Sequence, residues 1–174
     1  MFDWTARERD ARFTGRGAAR VEAPYRARLD LFGPRGEGYL SAAIVEGELR
    51  LPPNVDPRAV PPAPLLWSVL GVVRPPEGAA LVGASREGGT ARLDYERDGG
   101  RWTFLVEGGR LRRAEWNSPD GGRYTVELEG QGAHGLPQRA VYRDWAAFTE
   151  LTLELDEVER VESFPPEIWT PDDA

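Results

Sequence analysis

The residues of this 174-residue chain that could do chemistry are few and scattered. His134 is the only histidine, set in the turn sequence Gly132-Ala133-His134-Gly135. It has no serine or cysteine nucleophile beside it and no second histidine to complete a metal site. Cysteine is absent, which removes disulfides, thiol catalysis and thiolate-bound metals together. Carboxylates are plentiful, yet Asp156, Glu157 and Glu159 read as a solvated strand end. A paired-carboxylate hydrolase needs two acids on an apolar row, and only Glu115 approaches that position. Gly33-Pro34-Arg35-Gly36 lacks the lysine, the hydroxyl residue and the following helix of a phosphate-binding loop. Net charge is −7 and the basic residues, all arginines, are interleaved with acids, which argues against a nucleic-acid partner. Neither an enzyme nor a cofactor or metal is expected.

The elements that would hold such residues are mostly strands. Four glycine pairs, Gly88-Gly89, Gly99-Gly100, Gly108-Gly109 and Gly121-Gly122, are spaced about one strand apart and supply the positive φ of tight hairpin turns. Between them, Ala91, Leu93 and Tyr95, then Trp102, Phe104 and Val106, then Tyr124, Val126 and Leu128 alternate with polar residues. That is the signature of an antiparallel sheet buried on one face. Residues 111–116 change parity, with Leu111 in one row and Ala114 and Trp116 in the other. Upstream, residues 13–21 form a strand whose inner row (Gly15, Gly17, Ala19) is small, residues 25–31 a second, and residues 39–46 a strand apolar enough to be covered on both faces. Residues 1–12 read as a lead-in helix. Residues 52–64 hold six of the 15 prolines and must form a crossing loop. Residues 65–71 form one short helix, apolar on nearly all sides, which only the sheet can bury. A strand starting at Leu136-Pro137 and a leucine-alternating one (Leu151, Leu153, Leu155) follow, with a bulge expected near Asp156-Glu157 to restore Val158 and Val161. Residues 164–174 form a C-terminal plug and acidic tail, and Trp4, Trp145 and Trp169 are expected to be partly exposed. A single mainly-β domain results, with ten to eleven strands and one helix. Small inner residues opposite large ones leave two outcomes open, a filled core or an apolar ligand cavity.

The order of these pieces resembles the LolA/LolB-like lipoprotein and lipoprotein-carrier superfamily. The resemblance rests on residues 13–34 with Arg26-Ala27-Arg28-Leu29-Asp30-Leu31-Phe32-Gly33-Pro34, the strand pair that follows, the proline-rich crossing into Leu65-Leu66-Trp67-Ser68-Val69-Leu70-Gly71, and the late strand from Gly135-Leu136-Pro137. It implies an unclosed antiparallel β-barrel lidded by the helix, holding acyl chains without chemistry. Leu29, Leu31, Ile44, Leu93, Trp102 and Phe104 would line the cavity, Leu66, Trp67 and Leu70 would be lid residues, and Arg28, with Arg26 an equal match, would latch the lid. The implied setting is the periplasm or the periplasmic face of the outer membrane, with a leader removed and no membrane span, since the longest apolar run is too short to cross a bilayer. The chain would act as a monomer whose partner is a lipid or the acyl chain of a lipoprotein. The alternative is a structural lipoprotein domain with a filled core that binds another envelope protein through an edge strand or its acidic C-terminal run. The resemblance predicts a membrane-probing loop, for which residues 55–64 are the only candidate.

Overall fold

The computed structural model describes residues 1–57 and 60–171. Twelve strands form one antiparallel sheet: β1 (Phe2–Glu8), β2 (Ala11–Glu22), β3 (Arg26–Phe32), β4 (Gly38–Val45), β5 (Glu48–Arg50), β6 (Ala80–Glu87), β7 (Thr90–Arg97), β8 (Gly100–Glu107), β9 (Arg110–Asn117), β10 (Arg123–Glu129), β11 (Arg139–Asp144) and β12 (Thr149–Leu155), with one α-helix, α1 (Ala63–Val69), between β5 and β6. Their order is β5-β4-β3-β2-β1-β12-β11-β10-β9-β8-β7-β6, so β5 and β6 are free edges and the barrel is unclosed. The expected count of ten to eleven is short by β1. Residues 2–8 pair with both β2 and β12 instead of forming a lead-in helix. Phe2, Trp4 and Ala6 all face the core, a period of two that the dense charge of residues 7–12 masks in the sequence.

The glycine pairs close the meander in three ways. Gly88-Gly89 and Gly108-Gly109 have positive φ at both residues, as a twist-matched two-residue turn requires. Between β7 and β8 the turn is shifted to Asp98-Gly99, while Gly100 opens β8 beneath the Trp116 indole, where a Cβ would meet Nε1 at 2.9 Å. Gly121-Gly122 lies in a longer loop, residues 118–122, closed by Ser118 N–H donating to the Gly122 carbonyl. The parity change in β9 is a bulge: Leu105 pairs with Arg113 but Val106 with Leu111, so Leu111 and Ala114 share the buried face. β12 ends at Leu155 without the expected bulge, β11 begins at Arg139, and residues 156–165 run on outside the sheet.

Helix α1 begins two residues earlier than the sequence suggests, with Pro62 as N-cap and Pro64 in its first turn. It stops in a glycine-terminated motif. Val72 N–H donates to the Trp67 carbonyl (3.0 Å) and Gly71 N–H to that of Ser68 (2.9 Å), with Gly71 at φ 81°. Leu65, Leu66, Trp67 and Val69 are buried in one core cluster with inner-face residues of β1, β3, β4 and β8 to β12, and Ser68 is buried beside them. Trp4 and Trp169 are also buried, against expectation, and Trp145 is exposed. The C-terminal segment ends in a single 3₁₀ turn (Pro166–Trp169) packed on the outer face of β3 and β4, so β4 is covered on both faces as its composition predicts. Asp172 and Asp173 of the expected acidic tail lie outside the described residues.

Candidate binding site between sheet and helix

Successive residues of a strand point to opposite faces, so Ala27, Leu29 and Leu31 of β3 join the core while Arg26, Arg28 and Asp30 face out. Leu29, Leu31, Ile44, Trp102 and Phe104 are buried on the inner face, and Leu93 packs partly buried against the same cluster. They share one surface, but they do not surround one void. Leu66, Val69 and Leu70 seat on Ala27, Leu29, Ala42 and Ile44 with a gap of about 10 Å³, room for a single water at most. Across the sheet, Trp102, Trp116 and Tyr124 form a stack with ring centroids 4.8 and 4.9 Å apart, and Tyr95 meets Phe104 edge-on at 6.0 Å.

Two openings flank the helix. An apolar cleft of about 110 Å³ lies beside its C-terminal end, between Val69 and Leu70 on one side and Phe2, Ala19, Ala140 and Leu153 on the other. This is below the ~150 Å³ of a cavity that accepts benzene. The second is an open groove of about 880 Å³ beside Trp67. There the Arg74 guanidinium lies 3.6 Å above the Tyr25 ring, and Tyr25 meets the Trp67 indole edge-on at 6.5 Å. Glu46, Glu48 and Glu77 form the rim of that groove, and Arg97 donates to the Glu77 carbonyl. Trp67 is 2% exposed, and its indole N–H has no acceptor among the described residues. Sequence reasoning missed this groove because Pro24-Tyr25, Glu46-Gly47 and Arg74 come from three separate connections. Their proline and glycine content marks turns but not their convergence.

Arg28 does not reach the helix. Its Nε donates to both Asp30 carboxylate oxygens (2.8 and 3.0 Å) and another guanidinium nitrogen to the Ile168 carbonyl (2.8 Å) on the outer face. Arg20 and the Ser41 hydroxyl (2.6 Å) complete the shell of the buried Asp30. Arg28 therefore latches the C-terminal segment, and Arg26 pairs with Glu22 at 3.4 Å. The pleat alone decides this, since neither arginine can share a face with Leu29.

Glu115 also faces out. Burial works against its charged form, but hydrogen bonds from Asn117, Arg123 and Arg113 outweigh that and hold its carboxyl below the usual range. His134 is exposed in its turn. Among the described residues no cluster of His, Cys, Asp and Glu could hold a metal ion, and no helix is long and apolar enough to cross a membrane. What this inner surface can do is bury apolar matter.

No protein-family model matches the chain, and no curated protein does. Among solved structures, MucB in complex with MucA(peri) and the MucA/MucB complex of Pseudomonas aeruginosa each cover 87% of this chain and 85% and 86% of theirs, at 11% identity. With TM-scores of 0.26 and 0.25, they carry no argument here. The LolA superfamily protein NE2245 from Nitrosomonas europaea covers 98% of this chain and 90% of its own, with TM-score 0.58 and 14% identity. At that identity the likeness is one of architecture alone. The chain has the fold of a LolA superfamily protein.

Proposed function

We propose that this protein holds acyl chains, free or attached to a polypeptide, between the inner face of its sheet and α1, without chemistry, on the periplasmic side of a bacterial envelope. The observation that carries the reading is Trp67: an indole N–H buried without an acceptor among the described residues, in a helix whose other residues are apolar apart from Ser68, whose hydroxyl donates to the Pro64 carbonyl. An unmade buried hydrogen bond costs about 1–3 kcal/mol, which favours a state where the N–H meets water or a ligand carbonyl. Proline connections on both sides let α1 move as a unit with Leu66, Trp67 and Leu70 as the lid. The surface uncovered would be that of Leu29, Leu31, Ile44, Leu93, Trp102 and Phe104. Burial at about 25 cal/mol per Å² of apolar surface suffices to hold one long chain without a directed polar contact.

The closed interior supports a second reading. A gap of about 10 Å³ under the helix suits a filled core in a scaffold domain that binds another envelope protein. Native mass spectrometry of the purified protein, with lipid extraction and titration with palmitate, separates the two. Acyl holding predicts a bound species or saturable uptake, with altered fluorescence that Trp67→Phe reduces. A mass that stays ligand-free at every lipid concentration leaves the scaffold reading.

A further inference from the structure

The turn between β11 and β12 departs from what a hairpin needs. Its residues Trp145, Ala146, Ala147 and Phe148 are all exposed, Trp145 by 48% and Phe148 by 77%. Phe148 also has φ 56°, a left-handed backbone that is an outlier for a bulky side chain and that glycine, asparagine or aspartate adopts at less cost. Exposed apolar surface and a disfavoured backbone thus coincide at one residue. The turn is nevertheless firmly built. The Asp144 carboxylate accepts from Ala146 N–H (2.9 Å) and Ala147 N–H (3.0 Å), the Trp145 indole N–H donates to the Thr125 hydroxyl (3.1 Å), and Arg9 N–H donates to the Phe148 carbonyl (3.5 Å).

Register places the β1–β2 turn at the same end, because Glu8 pairs with both Thr149 and Ala11. Arg7 stands between Arg12 on β2 and Glu150 on β12, Arg9 lies in the turn, and all three arginines are exposed without an ion pair within 4 Å among the described residues. Like charges facing each other across strands are unfavourable unless something outside neutralises them. The acids at this end are Glu8, Asp10 and Asp144, with Glu37, Asp98 and Asp120 in the neighbouring turns, and Glu150, which is held by Arg143 at 2.8 Å. Exposed Phe13 and Tyr39, 5.8 Å apart, extend the aromatic edge.

We propose that this end of the sheet docks on a phospholipid surface, with Phe148 and Trp145 entering the interfacial layer and Arg7, Arg9 and Arg12 meeting lipid phosphates. A protein partner would need roughly 800 Å² of complementary face. Two aromatics at a protruding tip offer far less, but suffice for weak, reversible anchoring at a membrane interface rich in such residues. The expected crossing loop cannot take this role, because its Val60 is buried. The proposal stands apart from acyl holding, since it invokes neither α1 nor the inner face.

The test is co-sedimentation of the full chain with unilamellar vesicles of phosphatidylcholine alone and of phosphatidylcholine with phosphatidylglycerol at about 7:3. The wild type is expected to bind the anionic vesicles better, and less so as salt rises. Phe148→Ser should weaken binding to both roughly tenfold, the value of burying one aromatic side chain, with the melting temperature unchanged or raised. Replacing Arg7, Arg9 and Arg12 with glutamine should abolish the preference for anionic vesicles and leave binding to neutral ones. No binding to either vesicle, or wild-type binding by Phe148→Ser, overturns the proposal. A preference for anionic lipid that survives the triple variant overturns the role of the arginines.

Discussion

Gly15 and Gly17 are glycines because of what lies over them. Neither has a left-handed backbone, yet a Cβ on Gly17 would sit 2.3 Å from the Phe2 ring, and one on Gly15 would sit 1.9 Å from the Phe32 carbonyl oxygen and 2.8 Å from the Trp4 indole nitrogen. The Trp4 N–H donates to the Arg16 and Phe32 carbonyls, 3.0 Å each, so that ring cannot swing aside. Gly15 and Gly17 are thus a bed for two aromatic rings of β1, while Ala19 of the same row lines the cleft beside α1. Gly15→Ala is expected to destabilise the fold by about 3 kcal/mol, since the obstacle is backbone, and Gly17→Ala by less because the Phe2 ring is a side chain. Urea denaturation measures both; equal, small losses would show that β1 tolerates displacement. A similar constraint governs Asp30. Buried with Ser41 and held by the half-buried Arg20 and Arg28, it fixes the C-terminal segment through Arg28, and Asp30→Ala should lose about 2–3 kcal/mol, the value of hydrogen bonds to a charged group, since water can still reach both cations.

At the scale of elements, the outer face of β7 to β12 is held by ion pairs within and across strands. Arg92 binds Asp94, Arg113 and Arg123 converge on Glu115, and Arg143 bridges Glu127 (2.6 Å) and Glu150 (2.8 Å). Asp94 is held below its usual range by the Arg92 hydrogen bond, with Thr103 adding to it against the penalty of burial. Asp94 and Glu115 are therefore more acidic folded than unfolded. Their contribution is present above the unfolded carboxyl values of about 4 and is lost as pH falls through the lower folded ones. Thermal unfolding from pH 7 down to 2 should show stability dropping below about pH 4, with a shallower drop in the double variant Asp94→Asn, Glu115→Gln. An unchanged slope would place the acid sensitivity elsewhere. Helix α1 obeys a different logic. Seven residues are too few to be stable alone, so it persists by packing against the sheet.

For the whole molecule, β1 is the strand that joins the halves. It lies between β2 and β12, pairing residue 2 with residue 155, so the sheet's centre closes only when the ends of the sequence meet. Deleting residues 1–8 would leave β2 and β12 as raw edges at the middle of the sheet; the expected outcome is loss of cooperative unfolding and aggregation, read by calorimetry and size-exclusion chromatography. Pairing across that separation should also make folding slow, in milliseconds to seconds. The meander, the short helix and the doubly covered β4 were legible in the sequence because each is written in local periodicity and turn residues. Arg28 was misassigned, since strand parity excludes it from the helix side but only the fold shows Ile168 waiting on the other. The groove at Tyr25, Trp67 and Arg74, and the rim that joins Phe148 to Arg7, Arg9 and Arg12, assemble residues far apart in the chain, and no local pattern announces them. Alternation and turn chemistry thus determined an antiparallel sheet with one buried face and one short buried helix, because a strand's period and a turn's φ depend on neighbours in sequence. Tertiary structure alone decided which residues meet across the sheet and how closely α1 seats on β3 and β4, because packing and register depend on which strands become neighbours in space.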